Sequence, residues 1–403
     1  MKILFISETF PDAAHPACGT YNLALCRELA RDHSVRVISP RSWIDVVKGR
    51  RFNADASVLT SGLQVLYPTR WYTPGFGQSQ YGGQMWWSIR SALRTLTHDW
   101  KPDAVLSYWA HPDGECGLRA GQMFNAPSAV IVGGSDVLLL PKDRVRGDCV
   151  RRVLRESDTV ITVSDGLRDA CLQLGIPGER VRTIRQGIDP ATFHQGCQAE
   201  ARSQLGLSLK PGERLAVWVG RMVGLKRVDM LIRACRLLKE RGRPVRVCLL
   251  GEGPCRTAWE QLATAEGVAD QIQFVGPVGH DRLADWYRAA DFTVLCSESE
   301  GLPNVLRESI ACGTPFVSTD VGSIREIVEP QFAELVPVND VEALARGIES
   351  LISGSQSQAA KCFVPRSWVE TAQDTQVLFD ELIAQRNVEG LQPLSFQQSS
   401  LPQ

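Results

Sequence analysis

Ser297-Glu-Ser-Glu-Gly-Leu-Pro-Asn-Val-Leu-Arg-Glu308 follows the apolar run Phe292–Cys296 and leads into a segment that carries Val305, Leu306, Ile310 and Ala311. A short apolar run reads as a buried strand, and apolar residues three to five apart read as a helix packed on it. The unit is strand, loop, helix, and it recurs along the chain. In the first half the apolar runs are Lys2–Ser7, Val35–Ser39, Ala104–Ser107, Ala129–Val132, Val160–Val163 and Val181–Ile184. A second series comprises Leu215–Val219, Val245–Gly251, Ile272–Val275, Phe292–Cys296, Pro315–Ser318 and Ala333–Val336. Helical segments separate the runs in both halves, which predicts an α/β protein of two doubly wound parallel sheets. Such sheets bind ligands outside the carboxyl ends of their strands, and a gap between two units widens that crevice.

The expected boundaries are a first domain over 1-190, a second over 191-365, a C-terminal helix over 366-386 entered after Pro365, and a flexible polar tail over 387-403. The chain should cross between the units around Arg185–Phe193, and residues 353-359 have the composition of a linker. A length of 403 residues fits two cores better than one. With 44 basic against 45 acidic side chains there is no global steer toward nucleic acid, so any bound anion must be held locally. The 12 cysteines are scattered singly, with no C-x-x-C pair, as expected of buried apolar side chains in a reducing compartment. The run after Met1-Lys2 is too short for a signal-peptide core, and no stretch reaches the roughly 20 apolar residues of a membrane span. The expected location is the cytoplasm.

The candidate chemistry lies mainly in the second half. Glu300 falls in a strand-to-helix loop and Glu308 in the first turns of the helix, with Gly301, Leu302, Pro303, Asn304 and Val305 at the helix start. A helix amino-terminus offers free N–H groups and partial positive charge, which suits a diphosphate. Two carboxylates can accept hydrogen bonds from vicinal hydroxyls. A phosphate linked to two polyols would satisfy both features; the bland alternative is a loop glutamate and a solvated helix glutamate. Val217-Trp-Val-Gly-Arg-Met-Val-Gly-Leu-Lys-Arg-Val-Asp229 places Gly220, Arg221 and Lys226 just past another strand. Arginine and lysine there can neutralise a diphosphate leaving group, though taken alone such a basic loop is more often merely solvated. Gly251-Glu-Gly253-Pro254 is expected to bring backbone close to a ligand, but it lacks the full dinucleotide-binding spacing. In the first half, Gly19-Thr20 opens a helix after a proline-rich loop.

Together these motifs resemble family 4 retaining glycosyltransferases of the GT-B fold. The resemblance rests on Val219-Gly-Arg221, Lys226, Gly251-Glu-Gly-Pro254, Glu300-Gly-Leu-Pro-Asn304, Glu308, Ala311-Cys-Gly-Thr-Pro315 and Asp320-Val-Gly322. In the first half it extends to Gly19, Tyr108-Trp-Ala-His-Pro-Asp-Gly114, Gly133-Gly-Ser-Asp136, Val163-Ser164 and Gly187-Ile-Asp189 with Phe193. It implies a deep cleft between two Rossmann-like domains, with the C-terminal helix packed back on the first. It further implies transfer of a sugar from a nucleoside diphosphate sugar, of UDP or GDP type, to a glycan or lipid-linked acceptor in bacterial cell-surface polysaccharide synthesis. Carried over position by position, Glu308 would bind the ribose, Glu300 the transferred sugar, and Arg221 and Lys226 the diphosphate. Gly19 would approach the phosphates, His111 would lie beside the reacting carbon, and Asp136 and Ser164 would lie on the acceptor side. Asp136 could equally cap a strand end. Front-face transfer without a protein nucleophile is the implied mechanism. The chain has no D-x-D sequence, so no metal or other cofactor is expected. It departs from the common pattern at Gly133, where a basic residue is usual, at Gln186 in place of Asn, and at Ser323 in place of Gly.

A sugar-nucleotide epimerase of the same fold and a non-catalytic sugar-nucleotide-binding protein are the competing readings. Arg41-Ser-Trp-Ile-Asp-Val-Val-Lys-Gly-Arg-Arg-Phe52 and Met85-Trp-Trp-Ser-Ile-Arg-Ser-Ala-Leu-Arg94 mix basic and aromatic residues. They fit either a peripheral contact with the anionic inner face of a membrane or core helices with basic outer faces.

Overall fold

The computed structural model describes residues 1–50, 52–328, 332–353 and 364–391. The first sheet contains β1 (Lys2–Ile6), β2 (Ser34–Ile38), β3 (Gln64–Leu66), β4 (Ala104–Tyr108), β5 (Ser128–Val132), β6 (Thr159–Thr162) and β7 (Val181–Thr183). They are parallel, in the order β3-β2-β1-β4-β5-β6-β7. The second contains β8 (Arg214–Val219), β9 (Val245–Leu250), β10 (Ile272–Gly276), β11 (Phe292–Leu295), β12 (Phe316–Thr319) and β13 (Ala333–Val336). It is also parallel, ordered β10-β9-β8-β11-β12-β13. Strands such as β4 and β5 are buried at every position because helices cover both faces. Each sheet reverses its winding once, between β1 and β4 in the first and between β8 and β11 in the second. This is the two-domain GT-B arrangement.

Seven helices bear on the site and the joint between the domains: α1 (Thr20–Leu29), α2 (Tyr81–Thr97), α3 (Asp113–Phe124), α4 (Asp165–Gln173), α5 (His280–Ala289), α6 (Asn304–Ala311) and α7 (Trp368–Leu391). The unforeseen strand β3 is a three-residue edge strand with Gln64 exposed, too short to show an apolar run. The segment 185–193 crosses between domains beside the start of α7: Ile188 N–H donates to the Arg366 carbonyl at 2.8 Å, and the Thr371 hydroxyl to that of Arg185 at 3.0 Å. Helix α7 returns to the first domain, packing on α1 and pairing Arg386 with Asp158 at 2.9 Å. It continues to Leu391, through the part of the expected tail that begins at 387, because extending a formed helix is easier than starting one. Residues 354–359 of the expected linker, the tail beyond Leu391, and Arg51 lie outside the described residues.

The domains touch on one side of the cleft. A methyl placed on Gly134 would come within 2.9 Å of Gly301 Cα, and one on Gly301 within 2.4 Å of the Gly133 carbonyl oxygen, so the approach is backbone to backbone. Beside it the Ser164 and Ser323 hydroxyls are hydrogen-bonded at 2.7 Å. Glu326 of the second domain accepts from the N–H groups of Asp165 (3.0 Å) and Gly166 (2.7 Å), placing a carboxylate at the amino-terminus of α4.

Candidate functional site

Lys226 and Glu300 stand on the loops that follow β8 and β11, one on each side of the second sheet's reversal point. The two loops are tied by Glu298 N–H donating to the Leu225 carbonyl at 2.9 Å. Lys226 Nζ reaches Glu300 Oε1 at 2.5 Å, and both side chains are largely buried. Partial burial makes each charge depend on the other, so removing one leaves the second costly. The turn Gly251–Pro254 packs on the neighbouring loop: Gly220 N–H donates to the Leu250 carbonyl at 3.0 Å and Met222 N–H to that of Glu252 at 2.8 Å. A methyl on Gly253 would meet the Met222 carbonyl oxygen at 2.3 Å. The turn thus makes a close approach to the Gly220–Met222 backbone, and Gly253 shapes the Arg221 loop. Arg221 is exposed, with no ion pair among the described residues, and its charge helps offset the upward push of burial on the Cys18 thiol across the cleft.

Glu308 is not a solvated helix residue. It is buried on α6, accepts a hydrogen bond from the Tyr287 hydroxyl at 3.0 Å and faces His280 Nε2 at 3.2 Å. Burial works against the charged form of His280, but its hydrogen bond to Glu308 and the charges of Glu308, Asp189 and Asp281 outweigh it and raise its pKa. Burial, aided by Glu308, pushes the Tyr287 phenol far above its usual value, so Tyr287 stays a donor. At the start of α6, Asn304 Nδ2 donates to Gln186 Oε1 at 3.4 Å. Arg307, buried, donates to Asn304 Oδ1 at 3.0 Å and to the Gln186 carbonyl, fixing α6 to the interdomain crossing. Burial lowers the Arg307 pKa to about 10, against the pull of Glu308, which leaves it charged at neutral pH. Leu302 packs against the first domain's core, Pro303 precedes α6, and Val305 lines the cleft. The cleft, about 610 Å³, runs between Thr20, Tyr21 and Arg27 of α1 and His280, Val305 and Glu308 of the second domain.

Across from this face lies the first sheet's reversal point. Gly19 opens α1 at φ 68°, and a methyl there would sit 2.4 Å from the Thr9 carbonyl oxygen, so the loop tolerates glycine alone. His111 follows β4 and is fully buried, yet neither ring nitrogen has a hydrogen-bond partner among the described residues; the nearest carboxylate oxygen among them, Glu115 Oε2, is 3.7 Å away. Burial drives its pKa down to about 4; Glu115 opposes, while Arg146, Arg152 and Arg70 add to the depression. The ring is neutral at pH 7 and borders a cavity of about 320 Å³ with Glu8, Arg70, Tyr72 and Arg146. Asp136 is buried and accepts from the N–H groups of Ala110 (3.1 Å), Gly133 (3.1 Å) and Gly134 (2.8 Å). Burial raises its pKa to about 6 against those bonds. Its carboxylate thus clamps the His111 and Gly133 loops, the capping alternative for this residue. Ser164 caps α4 by accepting from Leu167 N–H at 3.3 Å and meets Ser323.

The departures from the family pattern have local causes. A side chain at Gly133 would strike the Tyr108 hydroxyl at 2.2 Å, and Ser323 supplies the bond to Ser164. Tyr287, His280, Glu115 and the Arg70–Glu8 pair (2.5 Å) were not foreseen. For His280 a signal existed: Gly276-Pro-Val-Gly-His280 is a glycine turn at a strand's carboxyl end. Of the basic and aromatic stretches, Arg41 is buried and bonded to Asp12 at 2.5 Å, which removes it from any membrane contact, whereas Lys48 and Arg50 are exposed. Helix α2 buries Met85, Ile89, Leu93 and Leu96 and leaves Arg90 and Arg94 outside, as a core helix with a basic face. No helix of the described residues is long and apolar enough to cross a membrane.

Comparison with known proteins matches residues 202–362 to the family model "Glycosyl transferases group 1" and residues 18–192 to "Glycosyltransferase Family 4". A protein of Bacillus subtilis (strain 168) named as a teichuronic acid biosynthesis glycosyltransferase, TuaC, is 28% identical over 366 residues, covering 86% of this chain and 88% of that protein. Among solved structures, sucrose-phosphate synthase from Thermosynechococcus elongatus superposes with a TM-score of 0.76 at 20% identity, covering 95% of this chain and 99% of that one. Anabaena HepE in complex with UDP-glucose does so at 0.69 and 18%, covering 96% and 100%.

Proposed function

The chain belongs to the glycosyltransferases of group 1 and family 4, and on that premise we propose that it moves a sugar from a nucleoside diphosphate sugar to a glycan or lipid-linked acceptor with retention at the anomeric carbon. The observation that carries this reading is that Lys226, Glu300 and Glu308 stand on the segments following the two strands of one reversal point, with Lys226 bonded to Glu300 and Glu308 on the cleft wall. Glu308, already oriented by Tyr287 and His280, would accept the ribose hydroxyls. Glu300 would take hydroxyls of the transferred sugar, while Lys226 and Arg221 would stabilise charge growing on the leaving diphosphate. In the proposed step the bond from the anomeric carbon to the phosphate oxygen breaks, and the acceptor oxygen bonds to that carbon on the same face. The acceptor proton passes to the departing phosphate. His111, neutral and without a hydrogen bond, can donate or accept one at the sugar or acceptor. HepE binds UDP-glucose, which favours a UDP sugar. The name of the TuaC relative favours an acceptor in cell-surface polysaccharide synthesis. We place the reaction in the cytoplasm, where the eleven described cysteines would remain free thiols as they are here.

The positive charge that Lys226 and Arg221 supply leads us to propose turnover without added divalent metal. The test is a panel of UDP and GDP sugars with membrane extract as acceptor source, following released nucleoside diphosphate and the product's anomeric configuration. We expect release that depends on acceptor, persists in EDTA and retains configuration. Donor turnover that acceptor does not accelerate beyond slow hydrolysis, loss of activity in EDTA restored by Mn²⁺ or Mg²⁺, or inversion would each refute the corresponding part.

A further inference from the structure

On the outer side of the His111 cavity, the first domain carries an open groove of about 810 Å³ whose walls are aromatic and whose floor is polar. Trp43 and Trp71 stack with centroids 6.1 Å apart at 13°, and Trp43 Nε1 is held by the Tyr72 carbonyl at 2.8 Å. Trp87 on α2 is 67% exposed and Trp71 53%, so both indole faces remain open to a ligand. Between them Gln84 Oε1 is enclosed with no hydrogen-bond partner among the described residues. Glu115 on α3 is held by Arg119 at 2.6 Å and Arg152 at 2.7 Å, and all three border the groove. The groove adjoins the His111 cavity: Tyr72 lines both, and Glu115 borders the groove while lying 3.7 Å from His111.

We infer that this groove is an acceptor subsite for an extended glycan, holding sugar residues behind the one that receives the transferred unit. Pyranose rings present C–H faces to aromatic rings and hydroxyls around their edges. Trp71, Trp87 and Trp43 match the faces; Gln84, the Arg119–Glu115–Arg152 set and Thr73 match the edges. A hydrocarbon chain laid in the groove would strip water from the part-exposed Arg119 and Arg152, which disfavours a lipid tail as occupant. Adjacency to the His111 cavity through Tyr72 sets the direction, with the accepting hydroxyl beside His111 and the chain trailing past Tyr72. This inference rests on the transfer reading above and specifies its acceptor as an oligosaccharide.

The experiment is binding of the labelled full chain to immobilised gluco- and N-acetylglucosamine oligosaccharides, from single residues to hexamers in α and β linkage. We expect binding that strengthens with chain length, weakens about tenfold in Trp71→Ala and in Trp87→Ala, and survives in Trp87→Tyr, which keeps a stacking face. Lys226→Ala should bind the glycans as the unsubstituted chain does, because the donor side is not involved. Slow hydrolysis of the donor without acceptor should be unchanged in Trp87→Ala. Loss of hydrolysis in every protein together with intact glycan binding would therefore indict the transfer reading and leave the groove standing. An array without binding, binding indifferent to length or to both tryptophans, or Trp87-dependent binding to phosphatidylcholine–phosphatidylglycerol vesicles in its place would overturn the inference.

Discussion

At the second domain's reversal point the carboxylates are already bonded: Lys226 holds Glu300, and Tyr287 and His280 hold Glu308. At the first domain's, His111 is buried with both ring nitrogens unpartnered among the described residues, and the nearby bonds are backbone clamps made by Asp136. On the proposed function, the contrast separates two tasks. A donor that is the same in every cycle rewards a rigid, charged receptor whose reorganisation is small. An acceptor hydroxyl that must enter and leave rewards a neutral group with free hydrogen-bonding capacity, kept ready at some cost in stability.

The largest effect should come from breaking the bonded half. Lys226→Ala removes leaving-group charge and leaves Glu300 unpaired, so turnover should fall by about 10²–10³-fold, measured as nucleoside diphosphate release. Retention of more than a tenth of the turnover would mean the ion pair is structural. Next is the joint between the halves: Gly301→Ala forces a methyl into the Gly133 carbonyl, and the donor KM should rise about tenfold or more while each domain still unfolds cooperatively in calorimetry. His111→Leu sharpens the contrast in the opposite sense. With no hydrogen bond to lose, the protein's Tm should hold or rise, while kcat falls about tenfold; a marked drop in Tm would make His111 a packing residue. Ser323→Ala removes one interdomain hydrogen bond and should change kcat/KM only a few-fold.

The smallest effect is read without turnover. In an NMR titration of the six histidines, His111 should titrate near 4 and His280 above its ordinary value. For His111 the folded value lies below the unfolded one near 6.5, so the unfolded chain binds the extra proton between these values. Its contribution to stability is full above about 6.5 and is lost as the pH falls toward 4. For His280 the sign reverses: its contribution is full below the unfolded value and fades as the pH rises through the folded one. Two histidines shifting in the same direction would erase the contrast between the halves.

The fold was legible because parallel strands buried on both faces print continuous apolar runs, and every run named in the sequence became a strand. The edge strand at Gln64–Leu66 printed none. Lys226, Glu300 and Glu308 could be picked out because strand ends carry the chemistry in such sheets. Their partners could not, since Tyr287 and His280 come from another helix and only the packing of α5 on α6 brings them to Glu308. Gly253 could be read only as a close approach, since sequence does not say that the Met222 backbone is approached. Nor could the Trp87 helix be read further than its period, because which indole faces a groove depends on Trp43 and Trp71, brought in from a separate segment.

The division of labour between the halves is tested most directly by calorimetric titration with whichever UDP or GDP sugar is turned over, on the unsubstituted chain, Glu308→Ala and His111→Leu. Affinity should fall at least tenfold in Glu308→Ala and stay within about twofold in His111→Leu, although both lose transfer. Equal losses of donor affinity in the two variants, or none in Glu308→Ala, would contradict it.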